Sequence, residues 1–148
     1  MENYPLPVSR YMVKKVITAT VSDTISNVCK RMYENNIGSL VIVKRILSGL
    51  DPVGMITERD IVKIIGSTDL FVGNMAIRRF MSSPLVTATT NTTLSSAIDI
   101  MNARSIRRIP IVSKSKDSNK LVGIISGRDI LKAIGEINHI PDFLELCS

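Results

Sequence analysis

The chain has 148 residues, enough for about one ordinary domain with a substantial core, and 45% of them are hydrophobic. No apolar run approaches the roughly eighteen residues of a membrane span, and the N-terminus lacks a secretory signal pattern, so a soluble, cytoplasmic protein without membrane partners is expected. The net charge of +6 divides into about +2 for residues 1–76 and +4 for 77–148, which favours an anionic ligand without marking nucleic acid, and two cysteines make no disulfide framework.

In chain order, residues 8–12 predict a helical turn and the β-branched run 16–20 a strand. Polar residues 22–24 are of the kind that cap helices. Ile25, Val28, Cys29 and Met32 then recur at i, i+3, i+4 and i+7, which predicts an amphipathic helix and makes Cys29 a buried, inert thiol. Apolar runs at 40–43 and 53–56 fit buried strands. The connector between them, 44–52, suits a hairpin-like loop and carries Ile46, Leu47 and Leu50. A closing helix buries Ile61, Ile64 and Ile65 and ends at Gly66; residues 67–76 read as a linker.

The same text is then written again. A gapless shift of 69 positions sets residues 8–66 on 77–135 with twenty identities among 59 pairs. The second copy has a turn at 77–81, a strand at 85–89, a capping cluster at 91–93, and a helical stripe of Leu94, Ala97, Ile98 and Met101. Strands at 109–112 and 122–125 flank the polar connector 113–120, and a helix burying Ile130, Ala133 and Ile134 ends at Gly135. The expected architecture is α/β, a β-α-β-β-α unit repeated in two domains, 8–66 and 77–135, related by a pseudo-twofold and completing each other's core. The tail, 136–148, has no counterpart. Its Ile137, Ile140, Phe143, Leu144 and Leu146 predict packing on the core or on another chain.

The densest matches are the segments GMITERD from Gly54 and GIISGRD from Gly123. Each places a hydroxyl residue, Thr57 or Ser126, three positions ahead of an acid, Asp60 or Asp129. That spacing serves as a helix-capping box throughout proteins, and it also presents polar groups to a ligand; both readings are open at this point.

The paired β-α-β-β-α units, the Thr-Ala-Thr segments near each start, the strands SLVIV from Ser39 and RIPIV from Arg108, and the Gly-x-x-Thr/Ser-x-x-Asp closers with Arg before Asp resemble a pair of cystathionine-β-synthase (CBS) domains, a Bateman module. The resemblance covers residues 8–135. It implies clefts between the copies that take adenosine-containing ligands such as AMP, ADP, ATP or S-adenosylmethionine, with no other cofactor required. Asp60 and Asp129 would accept hydrogen bonds from ribose hydroxyls. Thr57 and Ser126 would donate to phosphate over a helix N-terminus, and Arg59, Arg128, Arg107 and Arg108 would supply charge-assisted contacts. The adenine slot would be walled by Thr18, Ala19 and Val41 in one copy and by Thr87, Ala88 and Pro110 in the other. Pro110 has no N–H where Val41 has one, so the pockets differ, and the additional arginines make the second the tighter for phosphate.

The lone histidine, His139, sits in the tail, and there is no metal-ligand spacing, nucleophile elbow or Walker loop, so neither a metal site nor catalysis is expected. The leading expectation is a regulatory CBS pair, homodimeric through helical faces, that senses adenine nucleotide and acts on a protein effector in trans. The rivals are a nucleic-acid-binding protein, motivated by Arg104, Arg107 and Arg108, and a dimerisation module without ligand.

Overall fold

A computed structural model describes residues 4–81 and 85–140. Each repeat forms the β-α-β-β-α unit. The first comprises β1 (Thr18–Thr20), α1 (Ile25–Asn35), β2 (Ser39–Ile46), β3 (Gly49–Thr57) and α2 (Glu58–Gly66); the second comprises β4 (Ala88–Thr89), α3 (Leu94–Arg104), β5 (Arg108–Lys114), β6 (Asn119–Ser126) and α4 (Gly127–Ile137). Single 3-10 turns, Val8–Arg10 and Ile77–Arg79, lie ahead of them. The sheets have the orders β1-β2-β3 and β4-β5-β6. In the first, β1 runs parallel to β2 with Thr18 beside Val41, and β2 runs antiparallel to β3 with Ser39 beside Thr57.

Helix starts follow from local chemistry. Thr24 and Thr93 cap α1 and α3 by accepting from the N–H groups of Asn27 and Ser96. The helices end on Asn36 (φ 51°) and Ser105 (φ 53°), where the left-handed residue stops the turn.

The segments ahead of the repeats are exchanged. One compact unit joins Met1–Val16 to Val86–Ser115 and Leu121–Ser148; the other joins Ile17–Leu85 to Lys116–Lys120. Val8, wholly buried, enters the core of the second repeat with Leu94, Ile109, Ile111 and Ile125. Ile77, equally buried, enters the core of the first with Ile25, Leu40, Ile42 and Ile56. The exchanged segments also satisfy helix-start N–H groups that have no partner within the helix: Ile25 and Ser26 donate to the carbonyls of Met75 and Gly73, and Leu94 and Ser95 to those of Leu6 and Tyr4.

Several expectations are corrected. The connector 44–52 is mostly strand, because Lys44, Arg45 and Ile46 pair with Asp51, Leu50 and Gly49, leaving Leu47 and Ser48 as a two-residue turn with Leu47 fully exposed. β1 and β4 are shorter than the runs 16–20 and 85–89. Ile65 is 58% exposed, since Ile61 and Ile64 already fill the core-facing arc of α2. Gly135 is buried inside α4, which continues to Ile137. Cys29 is half-buried. Of the tail, Ile137 packs against the second core and Ile140 is partly exposed, while Phe143, Leu144 and Leu146 lie outside the described residues.

The exchanged segments explain the paired motif glycines. A Cβ on Gly54 would stand 2.6 Å from the Met81 sulfur, and one on Gly123 would stand 2.5 Å from the Met12 sulfur and 3.1 Å from the Val13 carbonyl oxygen. That carbonyl is fixed, because Val13 and Ile124 exchange backbone hydrogen bonds of 2.9 and 3.0 Å. Gly54→Ala and Gly123→Ala should each cost about 1–3 kcal/mol, with Gly123→Ala the larger, since a methionine end swings aside more readily than a paired backbone. Urea unfolding measures both; unchanged midpoints would show that the methionines do not need the space.

Candidate functional site

The strand-to-helix junctions are a polar feature that both repeats share. In the first repeat, the Thr57 N–H and hydroxyl both donate to Asp60 Oδ2 at 2.9 Å, and the Asp60 N–H donates to Thr57 Oγ1 at 3.2 Å. In the second, the Ser126 N–H and hydroxyl donate to Asp129 Oδ2 at 2.8 Å, and the Asp129 N–H returns to Ser126 Oγ at 3.1 Å. Both are complete capping boxes. An ionised carboxylate only accepts, so the single hydroxyl proton of Thr57 or Ser126 is committed to its acid. Each acid still keeps Oδ1 outside the capping bonds. Each helix start also keeps one open N–H, on Arg59 or Arg128, because Glu58 and Gly127 donate to the carbonyls of Gly38 and Arg107.

Strand alternation sorts the other candidates. Ala19 belongs to the core cluster of the first repeat and Ala88 to that of the second, so their side chains face the helices and only their backbone can line a slot. Residues paired across neighbouring strands share a face, which places Thr18, Val41 and Thr57 together on the sheet face opposite that core. In the second repeat Ile109 and Ile111 are core residues, so the buried Pro110 between them takes the opposite face. Thr87 stands one residue ahead of β4. Arg107 and Arg108 lie with Ser126 and Arg128 around one groove, whereas Arg59 is simply exposed.

Each repeat carries such a groove between its two helices, at aligned positions. The groove of about 570 Å³ in the first repeat is floored by Cys29, Met32, Ile37, Ile61 and Val62, with Glu58 as its one charged residue. The groove of about 670 Å³ in the second is floored by Ile98, Met101, Ile106, Ile130 and Ile134, with Arg107, Arg108 and Arg128 as its charged residues. Burial raises the Cys29 thiol above its ordinary range, which keeps it protonated and unreactive.

Sequence reasoning missed Arg31. Its guanidinium donates to the Thr18 carbonyl at 2.7 Å and meets Asp23 at 3.4 Å, while Asp23 accepts from the Thr20 N–H at 2.8 Å. The aligned residues in the second repeat are Ile100 and Thr92, and there the turn is closed by the neutral Thr92 hydroxyl, which accepts from the Thr89 N–H at 3.1 Å. The lack of identity at these two positions was the available signal. Among the described residues no group of three or more His, Cys, Asp or Glu is placed to hold a metal ion, and no helix is long and apolar enough to cross a membrane.

A model of the CBS domain family matches residues 8–67 and 77–136. The chain belongs to the CBS domain family. It is 34% identical over 131 residues to a 17.7 kDa protein of the bps2 3′ region of Acidianus ambivalens, covering 88% of this chain and 74% of that one. Among solved structures it resembles protein MJ1225 of Methanocaldococcus jannaschii (TM-score 0.78, 25% identity), covering 89% of this chain and 49% of that one. It also resembles the CBS domain pair of protein MJ0100 in complex with 5′-methylthioadenosine and S-adenosyl-L-methionine (TM-score 0.75, 26% identity), covering 89% and 98% of the two chains. The chain thus spans about half of the longer of these two structures.

The Asp23 turn yields a pH dependence. The Thr20 N–H, aided by Arg31, outweighs burial and holds the Asp23 carboxyl below the ordinary 3.8. A depressed folded value means that the stabilisation is fully present above 3.8 and is lost as pH falls through the lower folded value. Asp23→Asn should therefore be less stable than the wild type at neutral pH, the gap closing in strong acid. Thermal unfolding across pH checks this; equal stability at neutral pH would remove the turn from the account.

Proposed function

We propose that the chain is a regulatory CBS pair, cytoplasmic and without catalytic activity of its own, that binds an adenosine-containing ligand of the AMP, ADP, ATP or S-adenosylmethionine class. It acts as a homodimer and passes ligand occupancy to a protein effector in trans. The observation that carries this reading is the repeated acid. Asp60 and Asp129 each spend one carboxylate oxygen on the helix start and retain the other, and an ionised oxygen beside an open N–H suits the hydroxyls of a ribose. The fold's likeness to a CBS pair complexed with two adenosyl compounds supports the same ligand class. Thr57 and Ser126 act in this reading chiefly by holding their acids, and the arginines Arg59, Arg107, Arg108 and Arg128 supply the phosphate contacts. Thr18 and Val41, with Thr87 and Pro110, supply the walls for the base, together with the backbone of Ala19 and Ala88. Ligand can regulate the module only by binding one of its states more tightly than another.

Substitution by asparagine separates binding from capping. Its carbonyl still accepts from the N-cap residue, but the charge and the second acceptor are gone. Asp60→Asn and Asp129→Asn should each weaken one site by about 10- to 100-fold, corresponding to roughly 1.5–3 kcal/mol, with little change in melting temperature. Calorimetry against AMP, ATP and S-adenosylmethionine reads this. Wild-type affinity in both variants and in their combination would end the ribose assignment, and tight, salt-sensitive binding of a control DNA duplex with no nucleotide binding would favour the nucleic-acid reading.

A further inference from the structure

One hairpin tip carries an apolar residue among cations. Leu47 is fully exposed in the two-residue turn between β2 and β3, and Lys44 and Arg45, near the outer end of β2, are exposed as well. The β5–β6 connector meets this tip within one compact unit, since Lys116–Lys120 groups with the first repeat. There the Ser118 hydroxyl lies 3.2 Å from that of Ser48, and the Lys120 side chain lies over Gly49, where a Cβ would stand 3.0 Å from Lys120 Cε. Lys44, Arg45, Lys116 and Lys120 thus outnumber the local acids, Asp51 and Asp117, by two, and no ion pair holds any of the four among the described residues.

Folding does not ask for the leucine. At the shift of 69 positions Leu47 falls on Lys116, and the connector 113–120 joins its strands with polar residues throughout. A leucine held in water at a projecting turn stabilises nothing in the fold, yet it can enter a soft apolar layer while lysine and arginine beside it stay at the level of phosphate. Nucleic acid offers the phosphate without the apolar layer. We propose that this tip docks the protein on the anionic surface of a lipid bilayer, Leu47 entering the boundary between headgroups and acyl chains and the four cations meeting headgroup phosphates. No spanning helix is needed, and the proposal is independent of the adenosyl reading. A single apolar residue with a small charge excess makes the attachment weak, reversible and sensitive to salt.

Co-sedimentation of the full chain without nucleotide tests this, comparing vesicles of phosphatidylcholine with vesicles of equal parts phosphatidylcholine and phosphatidylglycerol. Wild type should bind the anionic vesicles about tenfold more tightly or better, and about 1 M salt should release it. Leu47→Ser in one variant, and Arg45→Glu with Lys116→Glu in another, should each weaken that binding about tenfold, with circular dichroism confirming that both are folded. The chain contains no tryptophan, so Leu47→Trp places a lone reporter at the apex. Its emission should shift to the blue with anionic vesicles and stay unmoved with a DNA duplex or with poly-glutamate. Failure of wild type to bind anionic vesicles overturns the proposal, as does binding that Leu47→Ser leaves unchanged or that leaves the Leu47→Trp emission unmoved. Binding of the duplex through Arg45 and Lys116 without binding of vesicles overturns it in favour of nucleic acid.

Discussion

The hydrogen bonds that join Asp60 to Thr57 and Asp129 to Ser126 are the constraint on which the site depends. Each turns the chain from a buried strand into a helix and pairs the N–H of Asp60 or Asp129, which would otherwise go unpaired, and a cap of this kind is worth about 1 kcal/mol. The same bonds fix the acid by one oxygen only. A carboxylate so held is oriented before any ligand arrives, so little rotamer entropy remains to be lost on binding. In the proposed reading, capping and ligand recognition are therefore two uses of one side chain.

A second constraint acts through the exchanged segments. The turn ahead of the first repeat closes the core of the second, the linker closes the core of the first, and each lends backbone carbonyls to a helix start. Met12 and Met81 lie where only glycine leaves room, beside the strands that lead into the capping boxes. Packing and site geometry are in this way coupled: a bulkier residue at Gly54 or Gly123 presses on the strand that ends at Thr57 or Ser126.

Much of this was legible in the sequence, because hydrophobic periodicity reports burial directly. The stripes Ile25, Val28, Met32 and Leu94, Ala97, Met101 are core residues, and the family resemblance carried by the repeated motifs holds over both copies. The connector 44–52 misled because Gly49 and Pro52 read as loop formers; pairing of Lys44 with Asp51 and of Arg45 with Leu50 extends the hairpin regardless. Ile65 misled because Ile61 and Ile64 already fill the core-facing arc of α2, and Gly135 because a glycine reads as a helix end whereas α4 runs past it to Ile137. The exchange of segments left no trace in the repeat, as Met12 and Met81 align equally well whichever core they serve. The Arg31 clamp was invisible to a search for identities, because it exists in one copy only.

Adenosyl recognition through the free carboxylate oxygens is the central claim, and the ligand itself offers its most direct test. Calorimetric titration of the wild-type chain with AMP and with 2′,3′-dideoxy-AMP compares two molecules that share base and phosphate and differ only in the ribose hydroxyls. The account predicts saturable binding of AMP and a loss of about tenfold or more for the dideoxy form. Equal affinities, or no saturable binding of AMP or of any other adenosyl compound, would contradict it.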